Sequence, residues 1–416
     1  MTRVLLTGAG GFVGHHCLEH LLLNTDWEIV CLDSFRHRGK TDRIREVVWG
    51  HDEVRSRGED DWRRRIKVLT HDLRVPISRQ LDEEIGYVNY VLSVASDSHV
   101  DRSITDPREF IENNVALVLT MLEWVRSRNG WTFDPPQKFL HVSTDEVYGP
   151  APVGHDHVEG EPHRPSNPYS ASKAAQEDIV YSYWRTYGLP LGVSNTMNII
   201  GERQDPEKFV PLVLSKVARG ETVEIHAGRG PTAATWPADE PAPLNQPGSR
   251  FYLHARNQAD ALLFLLREVP FPCYGDRDPV FVVKDRGSGE TSWDPKTEKA
   301  AIFPTSDEAE SWRKSRKRAR DLDVIYDELA SEMGRWNVVG EREIDNLAMA
   351  ELIAQYAGLD LRYELVDFHS SRPGHDLRYA LDGTKLAGLG WTPPMPLEES
   401  LASTVRWTLD HRHWLL

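Results

Sequence analysis

Short apolar runs alternate with amphipathic segments along the first half of the chain. The runs are short and flanked by polar residues, which predicts buried strands, and the segments between them carry apolar residues three and four positions apart, which predicts helices. Strands that alternate with helices predict right-handed crossovers and a parallel sheet with helices on both faces. Strands are expected at 3–7, 27–33, 65–73, 88–96, 138–144 and 189–199, and helices at 12–23, 108–128, 170–187 and 207–219.

This pattern indicates a Rossmann-like, doubly wound α/β fold with two parts. Residues 1–200 are expected to form the domain that binds a dinucleotide, and residues 201–416 mainly a smaller C-terminal α/β lobe that binds substrate. Two inserted segments depart from the pattern. Residues 227–250 are rich in Pro, Gly and Ala and predict a long loop.

The second insertion, residues 275–334, contains the basic run WRKSRKRARD at 312–321. This run is either a solvated helix face or a contact for a phosphate or another anionic partner. The acidic neighbours Asp321 and Asp323 dilute the charge and favour the solvated face.

Composition narrows the class of protein. The chain has 416 residues, of which 40% are hydrophobic, and its net charge of −15 argues against a nucleic-acid-binding surface. Its apolar runs are too short to span a bilayer, and the first residues lead directly into a strand, so we expect a cytoplasmic protein without a membrane segment. The three cysteines have no metal-ligand spacing, and no metal site is expected.

A glycine-rich turn, TGAGGFVG, joins the first strand to the first helix. Gly8, Gly11 and Gly14 form a GxxGxxG array that permits a tight turn, close approach of a pyrophosphate and helix–strand packing, while the helix N-terminus supplies N–H donors. Asp33 ends the second strand, where an acid binds the adenosine ribose hydroxyls and repels a 2′-phosphate. NAD is therefore expected rather than NADP.

Four other positions bear on this cofactor. Arg36 and Arg38 lie near Asp33 and leave NADP as an alternative. Asp72, at the end of the third strand, either contacts the adenine amino group or caps a turn. Ala95 is small enough for the cofactor to pass beside the fourth strand.

The segments HVSTDEVYGP and YSASK carry the candidate chemistry. Tyr169 and Lys173 are four residues apart on a predicted helix, so they share a face, and the ammonium is expected to lower the pKa of the phenol. A tyrosine tuned in this way acts as a general base. Asp145 and Glu146 follow a Ser-Thr strand end; they are either a catalytic pair with split pKa values or turn acids that cap the turn or pair with arginine.

Together these motifs resemble the extended short-chain dehydrogenase/reductase superfamily, and within it the nucleotide-sugar 4,6-dehydratases, among them the dTDP-glucose 4,6-dehydratases. The likeness covers residues 1 to about 226 and 335 to 393. The segments that carry it, besides those above, are ASDSHVDRSITDP, NIIGERQDPEKFVPLVLSKVARGETVEIHA, RWNVVGEREIDNLAMAELI and SRPGHDLRYALDGTKLAGLGWTP.

The resemblance implies an NAD-dependent lyase that acts on a nucleoside-diphosphate hexose, and a homodimer. Tyr169 would be the base for oxidation at C4, with Lys173 as its tuner and Thr144 as a hydroxyl relay, while Asp145 would be the acid and Glu146 the base at C5. Cofactor contacts are implied for Gly8, Gly11, Phe12, Gly14, Asp33, Asp72, Ala95, Ser143, Tyr169 and Lys173. Substrate contacts are implied for Ser98, His99, Asn198, Lys208, Arg250, Arg372 and His375.

The sequence also departs from the family pattern. Asp97 stands where a glutamate is usual. Ile199 and Ile200 replace a polar and an aromatic residue beside Asn198, so the family pattern does not tell which sugar or base this pocket accepts. Arg250 begins RFYLHA in place of Arg-Asp-Trp and could clamp a phosphate. For Arg372 and His375 a structural salt bridge is as good an interpretation as a ligand contact.

Two other functions remain open from the sequence. A C4 epimerase or a decarboxylase of the same superfamily would share Tyr169 and Lys173 but would not need an acid at Asp145. A dinucleotide-binding protein without catalysis is the third interpretation, since a fold does not determine a function.

Overall fold

Six hydrophobic runs of the first half and one later segment form a seven-stranded sheet. The strand order in this sheet is Gly334–Val338, Leu191–Thr196, Lys138–Thr144, Tyr90–Ser93, Arg3–Thr7, Glu28–Asp33 and Ile66–Thr70. The computed structural model describes residues 1–50, 56, 59–128, 136–230, 243–274, 332–367 and 376–416, and the backbone of the helices and strands between 280 and 327. The strands are β1 Arg3–Thr7, β2 Glu28–Asp33, β3 Ile66–Thr70, β4 Tyr90–Ser93, β5 Lys138–Thr144, β6 Leu191–Thr196, β7 Asn198–Ile200, β8 Val223–Gly228, β9 Gln246–Pro247, β10 Ser249–His254, β11 Val280–Asp285, β12 Trp293–Asp294, β13 Lys299–Ala300, β14 Ile302–Phe303, β15 Leu322–Asp327, β16 Gly334–Val338, β17 Glu343–Asp345 and β18 Tyr363–Asp367.

The predicted parallel sheet is confirmed. β1 pairs in parallel with β2 and β4, β2 with β3, and β4 with β5. Parallel strands need crossover helices, and these follow the strands. The helices are α1 Phe12–Asn24, α2 Thr41–Gly50, α3 Glu59–Arg65, α4 Arg79–Ile85, α5 Val100–Thr105, α6 Pro107–Ser127, α7 Pro168–Tyr187, α8 Phe209–Ala218, α9 Ala255–Glu268, α10 Ser306–Lys314, α11 Asn346–Ala357, α12 Thr384–Gly388 and α13 Leu397–Asp410, with 3₁₀ turns at Asp145–Tyr148 and Arg412–Leu415.

A second hydrophobic core lies in the C-terminal lobe. There β8 pairs with β18 in parallel and with β9 antiparallel, and β10 pairs with β7 and β17. Apolar residues of α8, α11 and α13 pack against these strands, with Leu214, Met349 and Leu401 fully buried. The smaller α/β lobe expected after the dinucleotide domain is therefore present.

The chain divides into two compact units. One comprises residues 1–180, 192–270 and 335–416, and the other residues 181–191 and 271–334. The domain boundary near residue 200 stays a prediction. Among the helices that the structure describes, none is long and apolar enough to cross a membrane.

The two insertions contain more regular structure than expected. The long loop expected at 227–250 is wrong at its ends, because β8 continues to Gly228 and β9 and β10 begin before residue 250. Residues 231–242 lie outside the described part. In the second insertion β11 pairs antiparallel with β14 and β15. The basic run starts in α10, and its residues 315–321 lie outside the described part.

Candidate active site

A cleft runs along the carboxyl ends of the parallel strands, where open α/β sheets bind ligands. It brings together most of the positions expected from the sequence. Those that line it are Gly8, Gly11, Phe12, Gly14, Asp33, Asp72, Ala95, Ser98, His99, Ser143, Thr144, Asp145, Glu146, Tyr169, Lys173, Asn198 and Lys208.

The glycine turn leaves no room for side chains. Gly8 has a φ of +73°, and a Cβ there would lie 2.8 Å from the Cα of Ala95. A Cβ on Gly14 would lie 2.0 Å from the carbonyl oxygen of Gly8. Backbone can therefore approach a ligand closely at the start of α1, whose free N–H groups suit a pyrophosphate. The site fits a dinucleotide.

The carboxylate of Asp33, the last residue of β2, is held by backbone hydrogen bonds. Its two carboxylate oxygens accept hydrogen bonds from the backbone N–H groups of Gly10 and Phe35, both at 2.8 Å. Arg36 pairs with Asp72, and Arg38 with Glu207. Both guanidinium groups near Asp33 thus have carboxylate partners of their own, which disfavours the NADP alternative.

Asp72 lines the cleft and also accepts a hydrogen bond from Arg74 at 2.9 Å. The structure therefore gives Asp72 an ion-pair role between two arginines. Its contact with adenine stays a prediction.

The end of β5 organises the two adjacent acids. The Thr144 hydroxyl caps the following 3₁₀ turn by accepting from the N–H of Glu146 at 3.3 Å, and it donates to Asp145 Oδ1 at 2.9 Å. Asn167 donates its amide to Glu146 Oε2 at 3.2 Å. Among the described residues, no salt bridge joins either acid to a lysine or arginine. The capping side chain at this turn is Thr144, and the acids themselves face the cleft.

Burial raises the pKa of both carboxyl groups. Burial first, and then the neighbouring charge of Glu146, raise the pKa of Asp145 to about 7. Burial also raises the pKa of Glu146, while the amide of Asn167 and the charges of Arg250 and Lys208 counteract it. Burial is thus a larger cause than the mutual repulsion expected from the sequence.

Lys173 is not among the causes that shift the pKa of Tyr169 in this structure, and the tuning of Tyr169 by Lys173 stays a prediction. The Lys173 ammonium donates to the carbonyl of Val142 at 2.8 Å and to Gln176 Oε1 at 2.6 Å, and burial lowers its pKa to about 7. Burial raises the pKa of Tyr169, and the two acids raise it further. A hydrogen bond with Thr144 acts in the opposite direction. The phenol is therefore linked to the acids through Thr144.

Sequence reasoning missed a buried amide pair behind this site. Asn114 accepts from the N–H of Asp97 at 2.8 Å and donates to Ser172 Oγ at 2.8 Å, while Asn113 donates to Asp97 Oδ2 at 3.3 Å. The pair joins the loop after β4 to α7, which carries Tyr169. Two polar residues on the inward face of the long helix α6 were the available signal, since buried amides need partners.

The positions expected to contact substrate divide into three groups: those at the cleft, Arg250 away from it, and those outside the described residues. Lys208 donates to the carbonyl of Ser98 at 2.9 Å, and His99 lies 3.4 Å from Glu207, so both stay at the cleft. Asn198 is exposed on β7 and lines the cleft.

Arg250 does not line the cleft. Its guanidinium donates to the carbonyls of Asp376 and Leu377 at 2.6 and 2.8 Å and stacks on the Tyr379 ring. Arg372 and His375 lie outside the described residues.

Comparison with known proteins defines the family. The NAD dependent epimerase/dehydratase family matches residues 4–272. The chain belongs to this family. The dTDP-glucose 4,6-dehydratase of Neisseria meningitidis serogroup B is 29% identical over 426 residues, covering 100% of this chain and 95% of that protein. The dTDP-glucose 4,6-dehydratase 1 of Escherichia coli K12 is 28% identical, covering 99% of this chain and 94% of that protein.

Solved structures of the NAD dependent epimerase/dehydratase family share the fold. The dTDP-glucose 4,6-dehydratase of Streptomyces venezuelae with NAD bound has a TM-score of 0.68 at 24% identity, covering 99% of this chain and 98% of that one. The UDP-glucuronic acid 4-epimerase of Bacillus cereus has the same TM-score at 16% identity, covering 99% and 100%. Because a dehydratase and an epimerase match equally well, the fold alone does not decide between them, and the site has to.

Proposed function

We propose that the chain is an NAD-dependent nucleoside-diphosphate-hexose 4,6-dehydratase, which converts its substrate to a 4-keto-6-deoxy sugar nucleotide with loss of water. The observation that carries this proposal is the pair Asp145 and Glu146, adjacent in the cleft and bonded through Thr144 toward Tyr169. Elimination of water needs an acid and a base on neighbouring carbon atoms, and two adjacent carboxyl groups, one protonated and one ionised, supply both. The similarity to curated dehydratases along the whole chain agrees.

The first step is oxidation at C4. NAD, held at the glycine turn and Asp33, would supply the redox chemistry of the cycle, which is hydride acceptance from C4 and hydride return to C6. The proton of the C4 hydroxyl passes to Tyr169. Because burial keeps the phenol protonated, Tyr169 must release its own proton, and the Thr144 hydroxyl offers a path to the ionised Asp145. This relay leaves Asp145 protonated and Tyr169 unchanged.

The second step is elimination across C5 and C6. The new ketone makes the C5 proton acidic, and Glu146 removes it. Asp145 gives the proton it received to the C6 hydroxyl, which leaves as water. When hydride returns to C6, Glu146 gives its proton back to C5. In sum, one proton is lost at the C4 hydroxyl and one is gained by the departing water, and both acids return to their starting states.

A substrate panel tests the proposal. Protein loaded with NAD is incubated with dTDP-, UDP-, CDP- and GDP-hexoses without added reductant, and loss of water is followed by mass spectrometry. We expect one of these sugar nucleotides to lose water. If none does, and a C4 epimer forms instead, the family's epimerase alternative replaces this function.

A homodimer and a cytoplasmic location are part of the proposal. Ile111 and Leu119 on α6 are exposed by 41% and 42%, which is a suitable surface for helix pairing between two copies. Sedimentation equilibrium of the purified chain distinguishes a dimer from a monomer.

A further inference from the structure

A cluster of two histidines and a glutamate lies on the segment between the 3₁₀ turn after β5 and α7. His157 Nδ1 is 2.7 Å from Glu161 Oε2, and His155 Nε2 is 3.1 Å from Glu161 Oε1. The three ligand atoms lie within 4.8 Å of one another. None of the three residues is among those that line the active-site cleft. The cluster therefore needs an explanation separate from the proposed reaction.

The backbone holds these side chains in place. The N–H of His157 donates to the carbonyl of Ala380 at 3.0 Å, and the carbonyl of His157 accepts from the N–H of Asp382 at 2.9 Å. Glu161 accepts from the N–H of Val158 at 3.0 Å through the oxygen that faces His155. Arg378 donates to the carbonyl of His155 at 2.7 Å. Such anchoring lowers the ordering cost of binding an ion.

Neighbouring charged groups are already engaged. Asp156 pairs with Arg378 at 2.7 Å, and Glu159 accepts from the N–H of Asn337 at 2.8 Å. The two histidines and Glu161 are thus the groups that remain for a ligand. Glu161 Oε2 lies 2.7 Å from His157 Nδ1 and 3.3 Å from His155 Nε2, so the carboxylate stands between the two imidazoles.

We propose that His155, His157 and Glu161 bind a divalent transition metal of the Zn²⁺ class. Imidazole nitrogen suits Zn²⁺, Cu²⁺ and Ni²⁺, whereas Mg²⁺ and Ca²⁺ take oxygen ligands. With metal–ligand distances of roughly 2.0–2.2 Å, the atoms around a tetrahedral ion are separated by about 3.4 Å, so the cluster closes on an ion with small movements. His157 is buried, Glu161 is half-buried and His155 is exposed, which gives an ion access from solvent. Water would fill the fourth position.

This proposal revises the expectation of no metal site, which rested on the spacing of the cysteines. Cys17 and Cys31 are buried and do not compete for an added ion. An ion would join residues 155–161 to one another, on a segment that His157 already holds to Ala380 and Asp382 by backbone hydrogen bonds, and it would stabilise the folded chain by mass action.

The experiment uses the full chain without an affinity tag, dialysed against a chelator and then titrated with Zn²⁺ by calorimetry and with Co²⁺ by visible absorption. We expect one saturable equivalent per chain and a Co²⁺ spectrum typical of four-coordination. His155→Gln and Glu161→Gln should each weaken Zn²⁺ binding at least tenfold. Both positions are at least partly exposed, so the variants should fold, and circular dichroism without metal checks this.

His413→Gln is the matched control, because His413 is also an exposed histidine near a glutamate, 3.6 Å from Glu46. It should bind Zn²⁺ like the unaltered chain. The proposal is overturned if the chain shows no saturable binding, or if neither His155→Gln nor Glu161→Gln weakens it. In either case the three residues form a hydrogen-bonded His–Glu–His group and no more.

Discussion

Replacing Glu146 by glutamine separates the two halves of the proposed reaction. Glutamine keeps an oxygen for the amide of Asn167, which donates at 3.2 Å, so the turn after β5 should keep its conformation. It removes the base for the C5 proton. Tyr169, Thr144 and Asp145 remain, and oxidation at C4 should therefore continue.

The expected loss follows from the role of a general base. Such a group contributes roughly 10²–10⁴ in rate, which corresponds to about 3–5 kcal/mol in the barrier to elimination. The substitution also removes the neighbouring charge that raises the pKa of Asp145, so that pKa should fall below its value of about 7. Burial is the larger cause of the shift and persists, and the relay through Thr144 should keep operating.

The assay is a single turnover with the sugar nucleotide that passes the substrate panel. Reduced nicotinamide should accumulate in Glu146→Gln, because hydride leaves C4 and has no acceptor at C6. In D₂O the variant should incorporate deuterium at C5 at least a hundredfold more slowly. Glu224→Gln, at an exposed position on β8, is the control and should behave like the unaltered enzyme. Unimpaired deuterium incorporation in Glu146→Gln would refute the assignment of the C5 base.

Three further predictions test other parts of the site. The rate of C4 oxidation should rise with pH through about 7, because the relay needs Asp145 ionised. The variant Asp145→Asn should be slow and should lack this rise. If the rise survives the substitution, another group causes it. The unaltered chain should bind NAD⁺ more tightly than NADP⁺ in a fluorescence titration, and Asp33→Asn should reduce that preference; tighter binding of NADP⁺ by the unaltered chain would contradict the role of Asp33. Arg43→Met should lower both the melting temperature and the affinity for NAD⁺. Buried Arg43 donates to the carbonyls of Arg38 and Arg203 and pairs with Asp205 at 3.2 Å. Breaking a buried ion pair costs roughly 3–5 kcal/mol in the free energy of unfolding. Unchanged NAD⁺ affinity would limit Arg43 to a role in stability.

The fold could be predicted because its signals are local. Residues 3–7 and 138–144 have the bounds expected from their apolar runs, since a strand buried on both faces needs such a run. The GxxGxxG turn was recognisable for a similar reason: Gly8 and Gly14 lie where any Cβ would collide with backbone. The edges of insertion 227–250 were missed because β9 is stabilised by pairing with β8, and β10 by pairing with β7 and β17, rather than by their own composition.

The electrostatics of the site could not be predicted in the same way. Helical spacing places Tyr169 and Lys173 on one face, but it does not tell which partner the ammonium meets. That partner is the carbonyl of Val142, which comes from another element. The amides of Asn113 and Asn114 contact Asp97 and Ser172, and those contacts exist only once α6 and α7 are packed. Spacing along one helix carries no information about either.

The two isoleucines after Asn198 have different explanations in the structure. Ile200 also borders the cleft, but it is almost fully buried in the core of the C-terminal lobe and pairs with His254 in β10, so packing accounts for an apolar residue there. Ile199 is less buried, lines the cleft, and offers its carbonyl to Gln204 at 2.7 Å. An apolar side chain cannot replace the hydrogen bonds of a polar one. Ile199 is therefore the position at which this chain's substrate should differ from that of relatives with a polar residue, and Ile199→Asn should shift the preference within the sugar-nucleotide panel without slowing C5 exchange in the best substrate.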